Sequence, residues 1–330
     1  MIRNTLRGGL PLATSVLLVA CGGGGSDPAP PPATSDAQRS AAASATAQSS
    51  TNPCAAVTPF YWEIGDRNAR IASGSVNSAS SATSYTSGTP MSIASASKWL
   101  YAAYVVQKQN ATLSDSDIKF LNFRSGYTSF SQCLPGQSVD GCVAYLNNGV
   151  HSDPTDGLFS YGGGHMEKHA SLIGLGPLVN AGLASEIRSQ LGSDVGIAYS
   201  QPQLAGGVVS TADDYAFFLR KLLGGQLQLG ALLGSHAVCT NPSTCAQAAY
   251  TPVPATESWH YSLGHWVEDD PVVGDGAFSS AGAFGFYPWI DASKSWYGVL
   301  ARQSVANGEG YDSAQCGRLI RKAWVTGVAQ

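Results

Sequence analysis

The sequence predicts a discontinuous α/β (α+β) domain: a sheet flanked by helices, built from both ends of the chain, with a helical part inserted between them. Three observations lead there. Strand-like texture occurs at residues 60–76 and returns beyond residue 256. Helical spacing and loops fill the middle, and a last helix closes the chain. The chain of 330 residues, 44% of them hydrophobic, has room for one large core. Charged residues are 12%, the net charge is −4 and no basic run exceeds a pair, so a nucleic-acid groove is not expected. No stretch reaches the roughly 20 apolar residues of a spanning helix.

In chain order, Arg3 and Arg7 precede an apolar stretch from Leu10 to Ala20, the pattern of a signal peptide over residues 1–20. Leu18-Val19-Ala20-Cys21 resembles the lipobox of bacterial lipoproteins, which implies lipidation at Cys21. Gly22 in place of an aspartate there implies outer-membrane sorting. The alternative is an ordinary cleaved signal with a chance cysteine. Residues 21–52, rich in Gly, Pro, Ser, Ala and Thr, read as a flexible, lipid-anchored linker. The expected protein is exported, tied to the membrane only through its lipid, facing the periplasm or cell surface, and monomeric.

The folded part is then 53–330, with its sheet in 53–93 and 256–330 and its helical part in 94–255. Phe60-Tyr61-Trp62-Glu63-Ile64, a turn at Gly65-Asp66-Arg67-Asn68, and residues 70–76 read as a hairpin. Ser92 or Ser95 can open a helix carrying Trp99, Leu100, Ala102, Ala103, Val105 and Val106. Ser210-Thr211-Ala212-Asp213-Asp214 is a capping pattern ahead of Tyr215, Phe218, Leu219 and Leu222. Strands are expected over 260–267, 283–290 and 296–303, and the last helix over 312–326. Six cysteines remain after Cys21, an even number in an exported chain. Proximity favours Cys133–Cys142 and Cys239–Cys245, which leaves Cys54–Cys316; free thiols are the alternative.

Several chemistries are missing. The sequence has no GxSxG elbow, no HExxH and no phosphate-binding Gly-Lys-Ser/Thr loop. His165 and His169 lie four apart, but two ligands without a third do not make a metal site, and they read as helix-surface histidines. No metal and no cofactor are expected. What is present is Ser95-Ala96-Ser97-Lys98. Ser95 and Lys98, three apart on a helix, point the same way. A desolvated lysine can lose its proton and serve a serine nucleophile as base. The bland reading of Ser95 is a helix cap. A second match, Ser116-Asp117-Ile118-Lys119, lies in polar surroundings and looks incidental.

Ile93-Ala94-Ser95-Ala96-Ser97-Lys98-Trp99 resembles the active-site helix of the penicillin-binding and class C β-lactamase-like serine hydrolases. Further stretches match in order. Residues 120–127 resemble the family's LLxHxSGL segment, and Phe159-Ser160-Tyr161-Gly162-Gly163 its FxYSN segment. Residues 205–214 are similar to its aGGlxSTaxD helix start, and Ser280-Ala281-Gly282-Ala283 falls at its Lys/His-Thr/Ser-Gly strand. The resemblance implies a β-lactamase/transpeptidase-like fold. It implies Ser95 as acylated nucleophile, Lys98 and Tyr161 as proton-transfer pair, and the N–H groups of Ser95 and Ala283 as oxyanion hole. Gly163, Ser280 and Gly282 fall at substrate-binding positions. Two of these depart from the pattern: Gly163 replaces an asparagine, and Ser280 replaces a lysine or histidine. Both losses argue against an anionic β-lactam or peptide and for a neutral ester or oligoester. A carboxylesterase is therefore expected. A β-lactamase, D-Ala-D-Ala carboxypeptidase or amide-oligomer hydrolase on the same machinery, and a non-catalytic penicillin-binding-like module, are the alternatives.

Overall fold

A computed structural model describes residues 34–306 and 308–330. The signal pattern and Cys21 lie outside these residues, as does the first part of the expected linker.

The remainder of that linker is corrected. Residues from Thr34 onward belong to the folded body, which opens with helix α1 (Asp36–Ala47). Ser35 and Gln38 form a reciprocal capping box at its start, satisfying two backbone donors that would otherwise be orphaned. Ala42, Ala43, Thr46 and Ala47 are buried against the last helix. Arg39 fastens α1 there by donating to the Trp324 and Val325 carbonyls at 2.8 and 3.0 Å.

The hairpin is β1 (Phe60–Gly65) and β2 (Arg70–Val76), and β3 (Met91–Ser92) precedes helix α2 (Ser97–Lys108). The helical part continues with α3 (Asp115–Leu121), α4 (Val139–Val143), β4 (Phe159–Ser160), α5 (Gly164–Ala170) and α6 (Asn180–Leu191). Then come β5 (Ala198–Tyr199), β6 (Val208–Ser210), α7 (Ala212–Leu223), β7 (Val238–Cys239) and β8 (Ala248–Tyr250). The C-terminal part is β9 (His260–Tyr261), β10 (Trp266–Glu268), β11 (Ala277–Ser279), β12 (Tyr287–Ile290), β13 (Tyr297–Ala301) and α8 (Glu309–Thr326).

The main sheet is antiparallel, in the order β2-β1-β13-β12-β11-β10-β9-β7. The first hairpin therefore pairs directly with the last strand, Trp62 facing Leu300, so both chain ends build one sheet as expected. Every residue of β1, β12 and β13 is buried, and α7 and α8 both pack on β12 and β13. Strands covered on both faces lose the polar alternation of a one-sided sheet.

Two expected strands are shorter than their sequence texture. The 260–267 stretch is broken by a turn in which the Ser262 N–H donates to the His265 carbonyl at 2.8 Å. Gly264 makes that turn at φ +69°, where a Cβ would sit 2.4 Å from the Ala102 methyl. The 283–290 stretch pairs only from Tyr287, because residues 282–286 form another turn, closed by Gly282 N–H to the Phe286 carbonyl at 2.8 Å. The three expected cysteine pairs are bonded: Cys54–Cys316, Cys133–Cys142 and Cys239–Cys245, with Cα separations of 4.6, 4.8 and 6.2 Å inside the span a disulfide accepts.

Candidate active site

Ser95 is not a helix cap. It sits in a single 3₁₀ turn (Ala94–Ala96) ahead of α2, which begins with no side-chain cap at all. Ala94 holds a φ of 45°, a left-handed conformation that costs a non-glycine residue on the order of 1–3 kcal/mol. Neighbouring elements hold the turn in place. The Tyr215 hydroxyl on α7 donates to the Ala96 carbonyl at 2.8 Å, and the Val208 N–H on β6 donates to Ser97 Oγ at 3.2 Å.

Lys98, on the first turn of α2, is 4% exposed. Its Nζ donates to Ser95 Oγ and to the Ala205 carbonyl, both at 2.8 Å, and lies 4.9 Å from the centre of the Tyr161 ring. Burial pulls the Lys98 amine down to about 7, against the raising influence of the Glu167 charge. A neutral amine at this distance can accept the serine proton.

Tyr161 follows β4. Its ring stacks on Trp266 (centroids 5.1 Å apart) and meets the edges of Phe123 and Tyr261 at 5.4 and 5.8 Å. Phe123 reaches it from a backbone at φ +61°. Burial pushes the Tyr161 phenol up to about 12, while polar contact with Ser95 and Trp266 pulls the other way. It keeps its proton at neutral pH.

Among the described residues the backbone N–H groups of Ser95 and Ala283 have no bonding partner, and Ala283 is exposed to the cleft. Two free N–H donors beside a serine can hold a developing oxyanion.

The cleft has two halves that share Ser95, Tyr161 and Ala283. One, about 170 Å³, is walled by apolar and aromatic side chains including Val253, Trp259, Trp266 and Tyr311. The other, about 490 Å³, is lined by Lys98, Phe130, Gly163, Gln201 and Gln203 among others. Among the described residues Lys98 is the one charged side chain in either lining.

Not every expected substrate-binding residue faces this cleft. Gly163 does, and a Cβ there would lie 2.9 Å from the Phe130 ring, so Phe130 fills space an asparagine would need. Ser280 and Gly282 do not line it, which corrects the expectation. Ser280 is 3% exposed and donates its hydroxyl to the Ser95 carbonyl at 3.1 Å. Gly282 lies so close to the start of the Ser95 turn that a Cβ would sit 2.2 Å from the Ile93 carbonyl oxygen. Both brace the Ser95 turn from behind. The histidines are also corrected. His165 and His169 are buried rather than on the helix surface; His165 bridges Ser125 Oγ (2.7 Å) and the Ser160 carbonyl (2.9 Å), and His169 joins Asp117 to Tyr101. Ser116 is exposed on α3, and Lys119 pairs with Asp156, so the second Ser-x-x-Lys makes no site. Arg302 does not replace the cation missing at position 280, since it is buried in a salt bridge with Glu309.

Glu167 belongs to no motif, so nothing in the sequence marks it as part of the site. It is fully buried on α5, and its carboxylate accepts the N–H groups of Leu204 and Ala205, both at 3.0 Å. Since Ala205 presents its carbonyl to Lys98, Glu167 fixes the loop that orients the lysine. Burial pushes the Glu167 carboxyl up to about 7, against those two N–H groups and the Lys98 charge.

Solved structures share this architecture. A β-lactamase candidate from Bacteroides dorei superposes with a TM-score of 0.55 at 19% identity, over 82% of this chain and 92% of that one. The hydrolase EstCE1 gives 0.60 at 12% identity, over 88% and 99%. The chain has the β-lactamase fold. A D-stereospecific amidohydrolase from a Streptomyces species gives 0.56 at 13% identity, over 89% and 100%, so this fold aligns over most of the chain with proteins of different named activities. No family model and no curated protein sequence matches the chain.

Proposed function

We propose that the protein is a serine hydrolase that cleaves neutral esters or oligoesters through an acyl-enzyme on Ser95. The observation that carries this reading is the 2.8 Å contact from Lys98 Nζ to Ser95 Oγ, made by a lysine whose burial lowers it to about 7. Lys98 takes the Ser95 proton as Oγ bonds to the ester carbonyl carbon, and the N–H groups of Ser95 and Ala283 hold the oxyanion. Collapse breaks the bond to the alcohol, which leaves with a proton from Tyr161; the Lys98 ammonium restores that proton. Water then attacks the acyl carbon and gives a proton to the same pair; collapse breaks the bond to Ser95 Oγ, which takes that proton back as the carboxylic acid leaves. A positioned base contributes about 10²–10⁴ in rate and each oxyanion donor about 10²–10³. The uncharged lining, apart from Lys98, favours a neutral substrate. The fold-mate EstCE1, described as a hydrolase with promiscuous acyltransferase activity, supports acyl chemistry on this scaffold.

Ser95→Ala is expected to abolish hydrolysis of p-nitrophenyl butyrate, with Ser116→Ala staying within a few-fold of wild type. Loss only in Ser116→Ala, or equal loss in both, overturns the assignment. We further propose an exported, Cys21-acylated protein, resting on the basic start, the apolar stretch and the Leu-Val-Ala-Cys end. Cys21→Ser should abolish incorporation of labelled palmitate; persistence of the label refutes the anchor.

A further inference from the structure

The apolar half of the cleft has a built wall. Trp259 and Tyr311 both face it, and both are held from behind by one carboxylate. Glu257 accepts the Trp259 indole N–H at 2.7 Å on one oxygen and the Tyr311 hydroxyl at 2.6 Å on the other. Gln315 donates to it at 3.1 Å, and Arg318 closes the cluster with a salt bridge at 2.9 Å. Burial would raise the Glu257 carboxyl, but Arg318, Tyr311 and Trp259 outweigh it and hold the group below the ordinary carboxylate range. It stays ionised and accepts from both wall aromatics at once. Side chains locked in this way define a pocket's shape before the ligand arrives.

The size of this space is informative. An apolar cavity of about 150 Å³ is known to stay dry and take up benzene, and this half offers about 170 Å³. It opens directly onto Ser95 and Tyr161. The other half is larger and presents Gln201, Gln203 and Lys98, so the two arms of a bound ester meet different surroundings.

We propose that the apolar half is a size-limited subsite that takes a phenyl or short aliphatic group, about four to six carbons, on one arm of the ester. Glu257 is the positioning residue that fixes its wall. The inference rests on the serine-hydrolase reading and narrows its substrate class. Burial of such a group supplies binding through the apolar surface removed from water, and a longer chain must leave the pocket.

Two ester series test it. One varies the acyl group of p-nitrophenyl esters from acetyl to dodecanoyl and includes benzoyl. The other varies the alcohol of acetate esters from methyl to dodecyl and includes benzyl. In one series kcat/KM should peak at the short or phenyl member and fall roughly tenfold or more by the longest. Val253→Phe, which fills the pocket, should lower the ratio of the phenyl member to the smallest one by about tenfold, and Tyr311→Ala should move the cut-off to longer chains. Glu257→Gln should raise KM for the phenyl member more than it lowers kcat. Flat profiles in both series, or equal loss on all members in Val253→Phe, overturn the subsite. Saturation-transfer NMR of benzyl alcohol on Ser95→Ala protein gives a reading independent of turnover. Transfer is expected, and its loss on adding Val253→Phe locates the ligand; no transfer overturns the subsite. Transfer intact with no ester hydrolysed by wild type sinks the hydrolase reading and leaves the subsite standing.

Discussion

In the proposed reaction one side chain, Lys98, carries most of the proton chemistry. It is buried, it touches Ser95 Oγ and the Ala205 carbonyl, and the opposing charge that acts on it is Glu167, itself buried. Activity through Lys98 requires the neutral amine, so the rate on an ester should climb with pH through about 7 and level off above it. Glu167, also brought to about 7 by its surroundings, titrates over the same range, so the limb belongs to the pair. The sign of its influence is fixed: an ionised Glu167 stabilises the ammonium and raises Lys98. Glu167→Gln removes that charge and keeps an oxygen able to accept an N–H from Leu204 or Ala205. Its acid limb should therefore move to lower pH, measured as kcat/KM for p-nitrophenyl butyrate between pH 5 and 9. A limb that stays put, or moves up, would show that Glu167 acts on structure alone. The Ser-x-x-Lys pair was legible in the sequence because its partners lie three residues apart on one helical turn. Glu167 was not, because its link to Lys98 runs through a backbone carbonyl contributed by a loop 38 residues further on.

Among the elements, those with both a start signal and a periodic face were read close to their true bounds. Thr211 caps α7 by accepting the Asp214 N–H, as the Ser-Thr-Ala-Asp-Asp pattern implied, and the first hairpin runs over Phe60–Gly65 and Arg70–Val76 as expected. Helix α1 was missed for an instructive reason. Its composition of alanine, serine and threonine looks like a solvated linker, yet Ser35-Asp36-Ala37-Gln38 is a capping-box signature and alanine is the best helix former. Small side chains also let α1 lie close on α8, and Asn52 and Thr46 tie the same region to the chain end at Gln330. The histidines of α5 failed differently. A four-residue spacing shows that they share a face but not which way the face looks, and here it looks inward, where Asp117, Tyr101 and Ser125 satisfy them.

At the scale of the whole molecule, the β-lactamase fold brings α2, the β4 turn and the β11–β12 turn to one cleft, and the proposed preference for a neutral substrate rests on the charges around it. A β-lactam or peptide C-terminus brings a carboxylate, whose charge-assisted hydrogen bond to a cation is roughly twice as strong as a neutral one. Among the described residues the lining offers no cation except Lys98, which is engaged with Ser95 Oγ and the Ala205 carbonyl, and Arg302 is consumed by Glu309. An anion bound there would be left poorly compensated. The sequence departure at position 280 pointed the same way, but the structure changes the remedy. Ser280 lies behind the cleft with its hydroxyl on the Ser95 carbonyl, so Ser280→Lys would bury an ammonium against the Ser95 turn and should depress ester and cephalosporin hydrolysis alike. Ala281 is on the cleft wall, and Ala281→Lys puts a cation where a carboxylate could reach it. Wild type should therefore hydrolyse p-nitrophenyl butyrate far faster than a chromogenic cephalosporin. Ala281→Lys should narrow that ratio by about tenfold, the effect of roughly 1.4 kcal/mol, while Ser280→Lys should leave it where it was. Wild-type rates on the cephalosporin that match the best ester would mean that a neutral cleft does not set the substrate class.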